Sequence, residues 1–193
     1  MNKYIKELQQ FLNANGATLV GKGIFGPKTT KAVEALDVPI WVKIALKEVG
    51  TLEIAGDGSN PRIEQYHRVA GLPWAKDQVP WCGSVLAFIM QKAGMVLPSN
   101  PARALSWNRY GIDIYKPVLG AIAVKTRKGG GHVGIVLAIS GDDLLLLGGN
   151  QADAYTIRKY RITDFDWFRY PAGQPFQNTQ LAFVDFAKNT QEA

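Results

Sequence analysis

The chain has 193 residues, 47% hydrophobic and 20% charged, enough to build one cored domain, alone or with a small appendage. Its longest apolar runs, Val85 to Met90 and Leu144 to Leu147, are too short to cross a bilayer, and Met1-Asn2-Lys3-Tyr4-Ile5 begins no secretory segment; the expectation is synthesis in the cytoplasm without a signal peptide and no stable membrane insertion. One Cys excludes an internal disulfide, two His and one Cys are a poor zinc donor set, so no metal or cofactor is expected, and a net charge of +6 favours a polyanionic partner.

In chain order, Tyr4, Ile5, Leu8, Phe11 and Leu12 recur at helical spacing and stop near Asn15-Gly16. Pro27 opens a second helix that carries Val33 and Leu36. Residues 1–37 are too few for a separate core, so this unit should pack on its neighbour or borrow the next helix, Pro39 to Val49. Asn60-Pro61 and Asn100-Pro101 each combine an N-cap with a first-turn proline, predicting surface helices that stop near Gly71 and Gly111. Trp81 to Ala93 is apolar on nearly every side, the pattern of a helix buried inside a domain.

The second half changes period. Ala121 to Lys125, His132 to Ile139, Leu144 to Gly149, Tyr155 to Arg161 and Phe165 to Tyr170 read as strands separated by Gly and Asp turns. Helices followed by a strand meander predict an α+β fold with the buried helix against an antiparallel sheet. Lys125-Thr126-Arg127-Lys128 before Gly129-Gly130-Gly131 reads as a solvated hairpin turn and lacks the Gly-Lys-Ser/Thr ending of a phosphate loop. Leu181, Val184 and Phe186 suggest a last docked helix.

The chemistry-bearing residues are Cys82 and His132. Pro80 puts Cys82 in the first helical turn, where unpaired N–H groups and the helix dipole favour a thiolate. Gly83 and Ser84 leave room for a substrate carbonyl, and the Cys82 N–H can face an oxyanion. A thiolate nucleophile needs a base, and His132, flanked by Gly131 and Gly134 at a strand start, suits that task better than His67 in its helix. A hairpin at Gly141-Asp142 returns the chain beside His132: a two-residue loop sets it opposite Gln151, a three-residue loop opposite Asn150, and a bulge at Gly148-Gly149 switches between them. Upstream, Asp77 and Gln78 are the only nearby candidates for a second oxyanion donor.

Two sets of motifs carry a family resemblance. Leu8-Gln9-Gln10, Leu12-Asn13, Gly16, Gly23-Ile24-Phe25-Gly26 and Ala32-Val33 resemble a shortened peptidoglycan-binding repeat, with Lys22 where an acidic residue is usual. Glu48-Val49-Gly50, Asn60-Pro61, Pro80-Trp81-Cys82, Ala102-Arg103 with Ser106-Trp107, Gly131-His132-Val133-Gly134 and Gly148-Gly149-Asn150-Gln151 together resemble the CHAP and NlpC type of wall hydrolase, in its phage-endolysin branch. The resemblance implies a papain-like domain over 38–193 behind a peptidoglycan-binding-like unit at 1–37. It further implies a monomeric hydrolase of amide bonds in peptidoglycan, with Cys82 as nucleophile, His132 as base and Asn150 as the orienting residue. Such an enzyme reaches the wall after holin-type release or virion delivery. A bacterial antagonism toxin and a non-catalytic wall-binding protein are the rival expectations. Nucleic acid is not an expected partner, because Trp41, Trp74, Trp81, Trp107 and Trp167 are not interleaved with basic runs.

Overall fold

The computed structural model describes residues 1–177 and 179–186. It is an α+β fold, five α-helices followed by a six-stranded antiparallel sheet. Helix α1 (Lys3–Ala14) starts at Asn2, whose side chain accepts from the N–H groups of Tyr4 and Ile5 and donates to the Gly50 carbonyl at 2.8 Å. That last bond ties the first helix to the end of the third. Helix α2 (Pro27–Ala35) begins with proline at its first position, where a missing N–H costs nothing. Between the two, buried Gln9 clasps the glycine-rich turn, donating to the Ile24 carbonyl at 2.9 Å and accepting from the Gly23 N–H at 3.0 Å.

Helices α3 (Ile40–Glu48), α4 (Pro61–Val69) and α5 (Cys82–Lys92) follow. In α5 every residue from Cys82 to Met90 is buried, as the absence of a polar face requires. One hydrophobic core runs without a break from Tyr4, Leu8 and Phe11 in α1 through α5 to Val124, Leu145 and Tyr170. The first two helices therefore share their apolar faces with the rest of the chain.

The sheet comprises β1 (Ile112–Asp113), β2 (Ile122–Arg127), β3 (Gly130–Ser140), β4 (Asp143–Gly148), β5 (Thr156–Arg161) and β6 (Trp167–Tyr170), in the order β1-β6-β2-β3-β4-β5. The sequence pattern finds all but β1, which is only two exposed residues at the sheet edge and has no period to detect. The β3–β4 hairpin turns through Gly141-Asp142 and pairs Ser140 with Asp143. A bulge at Leu137 then shifts the register, so that Ile135 faces Leu147. The switch expected at Gly148-Gly149 thus lies in the partner strand.

Among the described residues two expected helices are not formed. Residues after Pro101 form a turn and a short 3-10 helix, Ala104–Arg109, because the Trp107 indole N–H folds back to the Pro101 carbonyl at 2.9 Å and buries the ring. Leu181 to Asp185 adopt no helix, and the remainder of that expected segment, 187–193, lies outside the described residues. Among the described residues no helix is long and apolar enough to cross a membrane.

Candidate active site

The cysteine helix begins where the chain is gripped hardest. Trp81 is fully buried, donates its indole N–H to Glu53 Oε1 at 2.7 Å and stacks on Tyr66. Gly83 lies so close to the 101–102 backbone that a Cβ there would meet the Ala102 carbonyl oxygen at 2.2 Å. Any side chain at 83 would push the first turn off that loop. Gly149 is equally confined, with Trp81 and Val85 atoms within 2.7 Å of where its Cβ would be.

Cys82 therefore sits in the first turn of α5, as expected, but only 4% of it is exposed. The backbone N–H of Val133, the residue next to His132, the positive charge of Arg127 and the N–H groups of Gly83 and Cys82 all act to lower the thiol pKa. Together they favour a thiolate. Burial nevertheless dominates and pushes the thiol up from its ordinary range, so the expected ionised sulfur is a neutral thiol in this closed arrangement. The space against it, bounded by Val85, Leu86, Val133, Gly149 and Tyr155, has no room for a water.

His132 is the third residue of β3 and is likewise only 4% exposed. No hydrogen bond joins it to Cys82; the two meet through the strand backbone at Val133. Its Nε2 lies 3.3 Å from Gln151 Oε1. The Gln151 side chain is caged: its amide nitrogen lies within 3.1 Å of the Gly148 carbonyl, 2.9 Å of the Thr156 carbonyl and 3.2 Å of the Thr156 hydroxyl. Two carbonyls can only accept, so that end of the amide must be NH₂ and the other end must be the oxygen. The oxygen also accepts from the Tyr160 hydroxyl at 3.0 Å. An acceptor facing Nε2 requires that nitrogen to carry the proton, which leaves Nδ1 as a free lone pair, the form a base needs. Burial, with Lys125 and Arg127 adding to it against the opposing Gln151 bond, lowers the imidazole to about 4 and keeps it neutral at ordinary pH.

The side chain that meets the imidazole is thus Gln151 rather than Asn150. Asn150 has a φ of +55°, and Ala152 and Asp153 share that left-handed region, so the chain leaves the ladder here in a tight corner. Asn tolerates this conformation better than most residues, and that preference is the signal that marks Asn150 as the corner and the longer Gln151 as the side chain free to reach back. Tyr160 and Lys125 were not found from the sequence. Tyr160 packs its ring 6.3 Å from that of His132, and Lys125 Nζ lies 4.4 Å from the Tyr160 ring centroid. Their places follow from cross-strand register, which no short motif records.

The remaining candidates are structural. Asp77 is fully buried and its Oδ2 accepts from the Ile54 and Asn60 N–H groups at 2.9 and 2.7 Å, while Gln78 donates to the Gly56 and Gly58 carbonyls. Both fasten the 54–60 loop, and neither is available to an oxyanion. His67 is fully buried with Nδ1 3.0 Å from the Ser84 hydroxyl. Among the described residues no group of three or more His, Cys, Asp and Glu is arranged to hold a metal ion. No protein-family model and no curated protein matches this chain.

Proposed function

We propose that this chain is a cysteine-dependent hydrolase of amide bonds in peptidoglycan, an endolysin-type enzyme of papain-like design with a wall-binding-like unit at 1–37. The observation that carries the reading is the caged Gln151 amide, which leaves the neutral His132 with its Nδ1 lone pair unused, on the strand whose next residue, Val133, borders the Cys82 sulfur. A purely structural histidine has no need of a fixed tautomer held by a side chain with five partners.

In the reaction, Nδ1 of His132 takes the thiol proton as the sulfur attacks the carbonyl carbon, forming a C–S bond. The developing oxyanion draws on backbone N–H groups of the first turn of α5. The imidazolium, stabilised by Gln151 Oε1, then gives its proton to the departing amine as the C–N bond breaks. Water, deprotonated by the same Nδ1, hydrolyses the thioester and restores the thiol. Because the sulfur is covered at rest, substrate entry requires the first turn of α5 to part from the strand edge. In the 1–37 unit, two adjoining surface hollows of about 550 and 320 Å³ are bordered by Lys22, Lys28 and Lys31. Their charge suits adsorption to acidic wall components.

One observation favours a second reading. A sulfur sealed in apolar packing is also what a non-catalytic wall-binding protein with this fold would contain. Digestion of purified peptidoglycan, followed by mass spectrometry of the new termini, decides between them. New amine groups without new reducing sugar ends, lost in Cys82→Ala, are expected; unchanged wall from the wild type selects the binding protein, and reducing ends indicate a glycosidase.

A further inference from the structure

The basic stretch before Gly129-Gly130-Gly131 gains a second meaning from the sheet register. Lys125 stands directly opposite His132, and Arg127 opposite Gly130. Side chains alternate along a strand, so Lys125, Arg127 and His132 share one face. Tyr160 forms the floor there, with Lys125 Nζ 4.4 Å from its ring centroid and 5.4 Å from that of Phe165. Gly129 and Gly130 present no side chain, and a Cβ on either would meet nothing within 4 Å. The face beside the imidazole is therefore cationic above, aromatic below and open at the hairpin tip.

Neither cation is neutralised. Among the described residues no carboxylate lies within ion-pair distance of Lys125 or Arg127, and neither side chain makes a hydrogen bond. Two acids of the neighbouring 164–166 segment are already engaged: Asp166 accepts from the N–H and hydroxyl of Thr126, and Asp164 accepts from the Arg161 N–H. Two unpaired positive charges beside a base oppose its protonation, although Arg127 also favours the Cys82 thiolate, and an anionic group on the substrate would offset their effect on the imidazole.

We propose that Lys125 and Arg127 form a carboxylate-binding subsite, and that the substrate is a peptide bearing a free carboxylate close to the amide that is cut. The proposal rests on the hydrolase reading and narrows it to acidic peptide chains. The docked carboxylate pairs with the Arg127 guanidinium and the Lys125 ammonium. By cancelling their field at His132 it makes the ring a better base only when the correct substrate is in place.

Cys82 is the only cysteine, so alkylation of the intact chain reports on this site alone. The measurement is the ratio of its rate with iodoacetate, which carries a carboxylate, to its rate with neutral iodoacetamide, in the wild type, Lys125→Gln, Arg127→Gln and the double variant. Circular dichroism confirms folding, and the exposure of Arg127 makes its single variant the safer one. The expected result is a ratio that falls about tenfold in the double variant at low salt and converges on the variant value when salt is raised. A ratio unaffected by the substitutions overturns the subsite and leaves the hydrolase reading standing. If the covered thiol of the folded wild type reacts with neither reagent, the comparison moves to wall digestion, where a double variant that hydrolyses as fast as wild type overturns the subsite alone and a wild type that hydrolyses nothing removes both proposals.

Discussion

The two histidines of this chain have nearly the same burial and opposite surroundings. His67 lies in α4 facing Ser84, with its Nε2 outside hydrogen-bond geometry and the Val79 and Lys76 carbonyls beside the ring. His132 lies in β3 facing an amide oxygen that is itself locked by three contacts at its other end. Burial lowers both imidazoles. Low basicity is thus shared and diagnoses nothing; what sets His132 apart is a partner that prescribes its tautomer and a neighbouring backbone that reaches the only thiol.

The sharpest way to break this comparison is to delete each ring. His132→Ala should reduce wall hydrolysis on the order of 10³-fold or more while the protein stays folded. His67→Ala should instead lower the denaturation midpoint, by about 2–3 kcal/mol of stability, and leave kcat within severalfold. Equal losses of activity in two well-folded variants would erase the distinction. Next in size, Gln151→Leu keeps the bulk but removes the acceptor, and should cost about 10²-fold in kcat with little change in KM.

Acid titration sharpens the same point through stability. His132 titrates near 4 in the folded chain and near its ordinary 6.5 when unfolded. Between those values the unfolded chain binds the extra proton, so stability is fully present above about pH 6.5 and is lost as pH falls toward 4, by on the order of 3 kcal/mol. His67 is shifted in the same direction and adds to the loss. Urea denaturation of wild type and His132→Gln across this range measures the difference; parallel curves would show that the ring titrates alike in the folded and unfolded chain. A smaller effect is expected of Tyr160→Phe, which leaves Gln151 Oε1 with His132 as its only donor. A three- to tenfold fall in kcat is expected, on the order of one neutral hydrogen bond, with the ¹⁵N shifts of His132 still showing the Nε2-protonated tautomer that the caged Gln151 amide prescribes. The smallest effect belongs to Asn150→Gly, which suits a φ of +55° and should leave kcat within about twofold and stability within a few tenths of a kcal/mol.

Much of the architecture was legible in order. Apolar period placed α1 and five of the strands, proline and cap signals opened α2 and α4, and an all-round apolar run marked α5, because these signals lie within a few residues of one another. Proline and asparagine marked the start of α4 for local reasons, but the same pair at Asn100-Pro101 did not deliver an α-helix, since burial of Trp107 against the Pro101 carbonyl outweighed the cap. The placing of Cys82 in a helical first turn and His132 near a strand start was equally local. The state of the sulfur was not: three N–H donors argue for a thiolate, and only the packing around them shows that burial prevails.

By itself, then, the sequence determined helices α1 to α5 and strands β2 to β6, and which residues are candidates for nucleophile and base, since both rest on neighbours within a turn or a pleat. Tertiary structure alone decided that Gln151 rather than Asn150 holds the imidazole, that Tyr160 and Lys125 stand beside it, and that the thiol is covered. Each of those outcomes depends on a one-residue register shift at Leu137, a left-handed corner at Asn150 and the approach of α5 to the strand edge. They join residues far apart in the chain through contacts whose energies are set only when every layer is in place.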